Sequence, residues 1–504
     1  MVGCTITATA ADSHERIPTL RQRPARRRTS RILHPPRSAR RCRRAFPDAL
    51  RAAGLPDRPE VFRRTCPDAL ARFEAARVAS GERLAIARRL TAGLQRHLVW
   101  SDAAGDRSLP DALGEPAGPL PLEVREPTGT PGWRPGLVYR GERWEAARLA
   151  DFGAELVRRG IVTPATGEAL SWVSEHLLVD GALDLRGRRV VALGAGAEMA
   201  PTRFWLEAGA EVLWLDVAPP PEEVLASSRR AGRLHWPRDG ADLLAQPREV
   251  LATIRAFAAD DPVHLGLYAY APGRARELRL TGSMNAIVDA LPPETVASVT
   301  MLVSPTTPTA LDARDRAAQR ARRAARPAWE AVLDHLGLLG RGDGCTEVDG
   351  GAATRSVVSI QGASYQAAQY LGKVMTAECW AGHGSPGVED ARPLRVSANT
   401  AAITRTRSLD HPVFAAAFGG AGAFGVETFT PRQSRCVNGL LAVRDWLHPE
   451  PPVPGRIRVH GGIHTLPYPL EPALRVAAAL GFARSPRLLR GLLGRGGQKQ
   501  QRPE

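Results

Sequence analysis

Two hydrophobic periods organise this chain. The short apolar runs VVAL at 190–193 and VLWL at 212–215 suit strands buried on both faces of a parallel sheet, and between them Phe204, Trp205 and Leu206 supply the packing side of a helix that stops at Gly209. The alternation continues with a helical pattern over 247–257, a strand over 263–270, a helix through 285–291 and a strand over 296–303. A β-rich stretch over 355–361, a helix over 365–380 and a strand over 394–398 complete it. Strands separated by helices in this way predict an α/β fold with a doubly wound parallel sheet.

Ahead of that core, Leu84, Ile86, Leu90, Leu94 and Leu98 form an apolar stripe at helical spacing. A proline- and glycine-rich stretch over 101–135 predicts an irregular connection or an extended hairpin, and helical patterns resume over 144–159 and 164–178. Residues 46–185 therefore read as a mainly helical N-terminal module, 186–430 as the α/β domain and 431–504 as a helical extension with a polar tail.

Charge changes the picture only at one end. The formal net charge is +16, but residues 16–44 hold twelve arginines and no acid, so the remainder is only mildly basic. This leader, residues 1–45, is poor in apolar residues and broken by prolines, which predicts disorder. Three readings of it stand side by side: a translated upstream extension, an organelle transit segment, and a nucleic-acid-binding arm. Nucleic acid is not expected as a partner of the rest of the chain. No run approaches the roughly 18 apolar residues that cross a bilayer, so no membrane association is expected. The six cysteines are scattered without a CxxC pair, which indicates neither a zinc site nor a disulfide framework and points to a reducing, cytoplasmic setting.

Candidate chemistry concentrates where the apolar runs end. Gly194 and Gly196 follow the first strand, where backbone must turn sharply beside a ligand, and Asp216 ends the second strand 22 residues after Gly194. A carboxylate there suits hydrogen bonds from ribose hydroxyls, with a helix N-terminus facing phosphates. Met199 stands where a third glycine would permit close helix-to-strand packing.

These segments resemble the short-chain dehydrogenase/reductase family over roughly residues 188–410. Gly194-Ala-Gly196 stands at the family's glycine-rich turn, and Asp242-Leu243 resembles its adenine-contacting pair of an acid and an aliphatic residue. Residues 267–273 (LYAYAPG) occupy its Asn-Asn-Ala-Gly position without the asparagines, residues 365–376 look like its active-site helix, and 395–406 look like the strand and loop that approach nicotinamide. The resemblance implies a Rossmann sheet, NAD as cofactor with NADP as the variant, and hydride transfer with a carbonyl or alcohol substrate of low molecular mass. Asp216 favours NAD, since its carboxylate would repel a 2′-phosphate.

Carried over residue by residue, the resemblance makes Tyr365 or Tyr370 the general acid. Lys373 becomes the ammonium that lowers the tyrosine's pKa and holds ribose, and Ser304 the hydrogen bond to the substrate oxygen. The spacing departs from Tyr-x-x-x-Lys: Tyr370 precedes Lys373 by three, and Gln369 occupies the lysine position relative to Tyr365. Asn285 is the candidate for the family's helix asparagine. Of 68 basic side chains only Lys373 and Lys499 are lysines, so a lysine on this helix is not what composition supplies by default. A methyltransferase using S-adenosylmethionine, or a nucleotide-binding protein without turnover, remain the alternatives, and a homo-oligomer is compatible with both. His460 and His464 are separated by Gly461-Gly462-Ile463, which predicts a loop and no metal site. Gly419, Gly420 and Gly422 predict a flexible turn.

Overall fold

In the computed structural model, residues 19–22, 59–485 and 487 are described, apart from 104, 260, 272–274, 383–393 and 407–411. Thr19–Gln22 forms β1, followed by the helices α1 (Pro59–Ala79) and α2 (Arg83–Gln95). The helical stripe breaks at Leu98, where a β-favouring Leu-Val-Trp run opens the hairpin of β2 (Leu98–Asp102) and β3 (Gly105–Ser108). β1 pairs antiparallel with β2, so four residues of the leader expected to be disordered form an edge strand. The rest of that leader lies outside the described residues.

The proline-rich connection contains β4 (Leu122–Arg125), and α3 (Leu149–Arg158) and α4 (Pro164–His176) follow it. The core then unfolds in order as β5 (Arg189–Leu193), α5 (Thr202–Glu207), β6 (Glu211–Leu215), β7 (Leu234–Pro237), α6 (Pro247–Phe257), β8 (Val263–Leu267), α7 (Arg276–Ala290) and β9 (Val296–Val303). Beyond α8 (Ala313–Ala324), the expected active-site helix is α9 (Gly362–Gln369), a π-helical segment Tyr370–Met375 and α10 (Thr376–Ala381). β10 (Val396–Thr400), α11 (Pro412–Ala421), α12 (Pro431–Leu447) and α13 (Leu470–Arg484) complete the described chain.

One seven-stranded sheet organises these elements, in the order β10-β9-β8-β5-β6-β7-β4, with every neighbouring pair parallel except β7 with β4. The chain builds outward from β5 through β6 and β7 to one side, then returns across to β8 and continues through β9 and β10. The direction of winding therefore reverses between β5 and β8.

Both faces of the sheet are covered, which explains why its strands read as unbroken apolar runs. Val190 and Ala192 pack with α3, α4, α5 and α12 on one face. Val191 and Leu193 pack with α6 and α7 on the other, where Val250, Leu251, Ile254 and Phe257 give α6 its apolar side. Residues 59–185 share this packing: Phe152 and Leu170 sit in the first layer, and Leu98 and Trp100 in the second. Gly419 and Gly420 are not a turn. They lie within α11, where a Cβ on Gly420 would stand 1.9 Å from the Ala477 carbonyl oxygen of α13, so the pair of helices requires glycine at the contact.

Candidate functional site

The carboxyl ends of the parallel strands gather most of the expected residues at one edge of the sheet. Gly194 leaves β5 with φ +84°, and a Cβ there would stand 2.3 Å from the backbone of Ala269. Its glycine requirement thus comes from the loop after β8, whose Ala269 N–H bonds the Leu193 carbonyl at 2.8 Å. Gly196 is exposed, and its N–H donates to Asp216 Oδ2 at 2.9 Å. Asp216 is half-buried at the end of β6, and its carbonyl accepts from Ala241 N–H at 2.6 Å, which draws the loop after β7 alongside. In that loop Asp242 Oδ1 accepts from Leu244 N–H at 2.7 Å, a turn-stabilising bond.

The helix after the glycine turn differs from expectation. It starts only at Thr202 and lasts six residues. Proline at 201 explains the delay, because it disfavours helical geometry at Ala200 and supplies no N–H of its own. Residues 197–200 make single turns instead, and the Thr202 hydroxyl bonds the Ala195 carbonyl at 3.0 Å. No long helix therefore points its N-terminus at Gly196.

Ser304 follows β9 directly, two strands from Gly194 and so about 10 Å along the edge. Its hydroxyl meets Thr306 Oγ1 at 2.8 Å, and its N–H donates to Gln369 Oε1 at 3.0 Å. The Tyr365 phenol lies beside Ser304, whose polar influence lowers its pKa, but burial, with the Glu277 charge acting in the same direction as burial, pushes this tyrosine up to about 12. The fold thus brings Ser304 and Tyr365 together, but Tyr365 is held protonated rather than drawn toward neutrality.

Tyr370 does not belong to this group. Its hydroxyl donates to the buried Glu74 carboxylate of α1, beside Arg77, and burial with the Glu74 charge raises it strongly. Lys373 points elsewhere, donating to the Leu302 carbonyl of β9 at 2.9 Å. The expectation that residues three apart share a face fails because 370–375 is π-helical, and its wider turn separates the two directions. Asn285 accommodates the widened turn: its Nδ2 donates to the Gly372 carbonyl at 2.7 Å, while Thr376 Oγ1 donates to that of Leu371 at 2.9 Å. Gly372 is needed there, since a Cβ would stand 2.7 Å from Thr281.

Lys373 is buried, and desolvation lowers its pKa, opposed by the charge of Glu277. Glu277, on α7, is the residue that sequence reasoning missed. It is 3% exposed, and burial raises its pKa against Lys373 and two hydrogen-bond donors.

His460 and His464 lie in a turn, as expected, with rings stacked 4.7 Å apart. His464 Nε2 bonds the Pro305 carbonyl at 3.1 Å, immediately behind Ser304. Among the described residues no group of three or more His, Cys, Asp or Glu is placed to hold a metal ion, and no helix is long and apolar enough to cross a membrane. A surface hollow of about 590 Å³, lined by Asp68, Arg72, Cys345 and Arg355 among others, shares no residue with the group gathered at the strand ends. Neither the models of known protein families nor the curated proteins contain a match to this chain.

Proposed function

We propose that the chain is an oxidoreductase that binds NAD across the strand-end cleft and transfers hydride between it and a carbonyl or alcohol substrate. The observation that carries this reading is the placement of an acid-bearing glycine turn at the reversal of winding. With its parallel strands numbered in chain order, the sheet runs 3-2-1-4-5-6, the order of Rossmann dinucleotide-binding folds, whose ligands sit at that reversal. Asp216 ends the second of these strands, and its carboxylate is aligned by the Gly196 N–H. Among the described residues the other carboxylate oxygen takes no protein donor, which fits an acid that accepts from ribose hydroxyls. The short α5 contributes less to phosphate than a full helix would.

Two strands away, Ser304 and Tyr365 supply hydroxyls toward the side from which a nicotinamide ring bound at Asp216 would extend. Tyr365 keeps its proton, which suits donation to a substrate oxygen as negative charge develops there. Lys373 braces β9 and offsets the Glu277 charge. Reduced nicotinamide supplies the hydride, and the chain's residues bind, orient and donate the proton.

A second reading, nucleotide binding without turnover, is favoured by the raised pKa of Tyr365 and by the bond of Lys373 to Leu302 instead of to the phenol. The two separate on NADH oxidation with a panel of aldehydes and ketones. Turnover that falls at least about 100-fold in Tyr365→Phe and Ser304→Ala, but less than about threefold in Tyr370→Phe, supports the oxidoreductase, the factor being that of a lost general acid. No turnover on any substrate despite tight NADH binding favours the second reading, and tighter binding of S-adenosylmethionine than of NAD replaces both with a methyltransferase.

A further inference from the structure

We propose that Glu277 is the positioning residue of the cleft, tying the loop that abuts the glycine turn to the loop that carries Ser304 and holding Lys373 between them. The proposal rests on the reading of the cleft above, but the bonds that carry it are independent of any cofactor. Glu277 Oε2 accepts from Ala271 N–H at 2.7 Å, in the loop after β8. Two residues earlier, Ala269 fills the space that a Gly194 side chain would need. Glu277 Oε1 accepts from Gln369 Nε2 at 3.4 Å, and the same amide's Oε1 accepts from Ser304 N–H at 3.0 Å. One carboxylate and one amide thus link Gly194 with Ser304, the two ends of the cleft.

Lys373 completes the arrangement. Its ammonium bonds the carbonyl of Leu302, two residues before Ser304, and Glu277 is the charge that favours its protonated form. The groups that feel Glu277 are Lys373, from the π-helical segment, and Tyr365, from α9. A buried acid with only local structural duties would not be expected to bond the loop after β8 directly, reach the loop after β9 through Gln369, and act by its charge on a buried lysine at once. Such convergence of elements on one buried carboxylate is what a preorganised site requires of its supporting residues.

The chain has only two lysines, so ¹³C labelling of lysine gives two side-chain signals, those of Lys373 and Lys499. Glu277→Gln keeps an acceptor for Ala271 and removes the charge. The Lys373 midpoint should then fall by at least about one pH unit while that of Lys499 stays fixed, and an unchanged Lys373 midpoint overturns the proposal. If Glu277→Gln does not fold, Gln369→Leu serves: amide exchange at Ser304 should quicken at least about tenfold with the Lys373 titration preserved, and unchanged exchange overturns the link. NAD binding separates the parent reading. Glu277→Ala, which removes the charge and frees Ala271 and Gln369, should weaken NAD binding about tenfold. Wild-type protein that binds no NAD sinks the reading of the cleft, whereas the lysine titration still decides the role of Glu277.

Discussion

The two ends of the cleft are built in opposite ways. At the Asp216 end, Gly194, Gly196 and Asp216 come from one turn and two adjacent strands within 23 residues, and a single bond from Gly196 N–H to the carboxylate joins them. At the Ser304 end, Glu277, Ser304, Tyr365, Gln369 and Lys373 come from three segments spread over nearly a hundred residues, joined by bonds across long sequence separations. The first end is set by a local turn between neighbouring strands, against which the loops after β7 and β8 close, and the second by buried polar contacts. A small half-exposed unit should tolerate loss of its acid without unfolding. A buried network should not tolerate loss of a charge.

The network behind the Ser304 end gives the largest expected effect. Arg77 is fully buried between Glu74 and Glu378, and it borders the Tyr370 hydroxyl. Arg77→Ala leaves the buried Glu74 with only the Tyr370 hydroxyl and Glu378 with only Arg83, and denaturant unfolding should register a loss of about 3–5 kcal/mol. A loss below about 1 kcal/mol would mean that the helices of residues 59–95 brace the π-helical segment only weakly.

Gly194→Ala sharpens the other side of the comparison. The positive φ and the overlap with Ala269 backbone should cost at least about 2–3 kcal/mol. Gly196→Ala meets only the Asp216 carboxylate and the edge of Trp214, each at 3.2 Å, so it should cost less than about 1 kcal/mol. Equal losses at the two glycines would remove the distinction drawn between a glycine demanded by packing and one that faces the cleft.

The histidine behind Ser304 adds a pH dependence. Burial lowers His464 to about 3, chiefly by desolvation and then by the charge of Arg458. An unfolded imidazole titrates near ~6.5, so the unfolded chain takes up the proton first and stability falls as pH drops from ~6.5 toward 3, by at most about 1.4 kcal/mol per pH unit. Above ~6.5 this group makes no difference. Comparing urea unfolding at pH 7.5 and 5, wild type should lose about 2 kcal/mol more than His464→Gln, and equal losses would show that His464 is not held neutral. The smallest effect is expected from deletion of residues 1–45. It removes the short edge pairing on β2 and should lower Tm by no more than about 4 °C.

How much of this was legible in the sequence follows the same division. The strands at 190–193 and 212–215, the turn between them and the acid after them are adjacent in sequence, and local pattern places them correctly. Helix α6 and strand β9 are equally direct, since periodicity and apolar runs decide both. The separation of Tyr370 from Lys373 was not legible, because a π-helical segment changes which residues share a face without changing composition. Proline at 201 did carry a signal for the late start of α5. Glu277 resembles any solvated helical acid in sequence. The signal that could have found it is its company in α7, where small polar residues, Thr281, Ser283 and Asn285, take positions that a surface helix would leave charged. The β4 strand was hidden in a proline-rich stretch because an antiparallel edge strand needs only four residues and little apolar content.

The claim that this edge of the sheet receives NAD is tested most directly by titration calorimetry of NAD and NADP into wild type and Asp216→Ala. Wild type should bind NAD more tightly than NADP. The substitution should weaken NAD by about 1.5–3 kcal/mol, the scale of a lost charge-assisted hydrogen bond, while leaving Tm nearly unchanged because Asp216 is half-exposed. NAD affinity that is identical in the two proteins, or absent from both, would contradict the assignment.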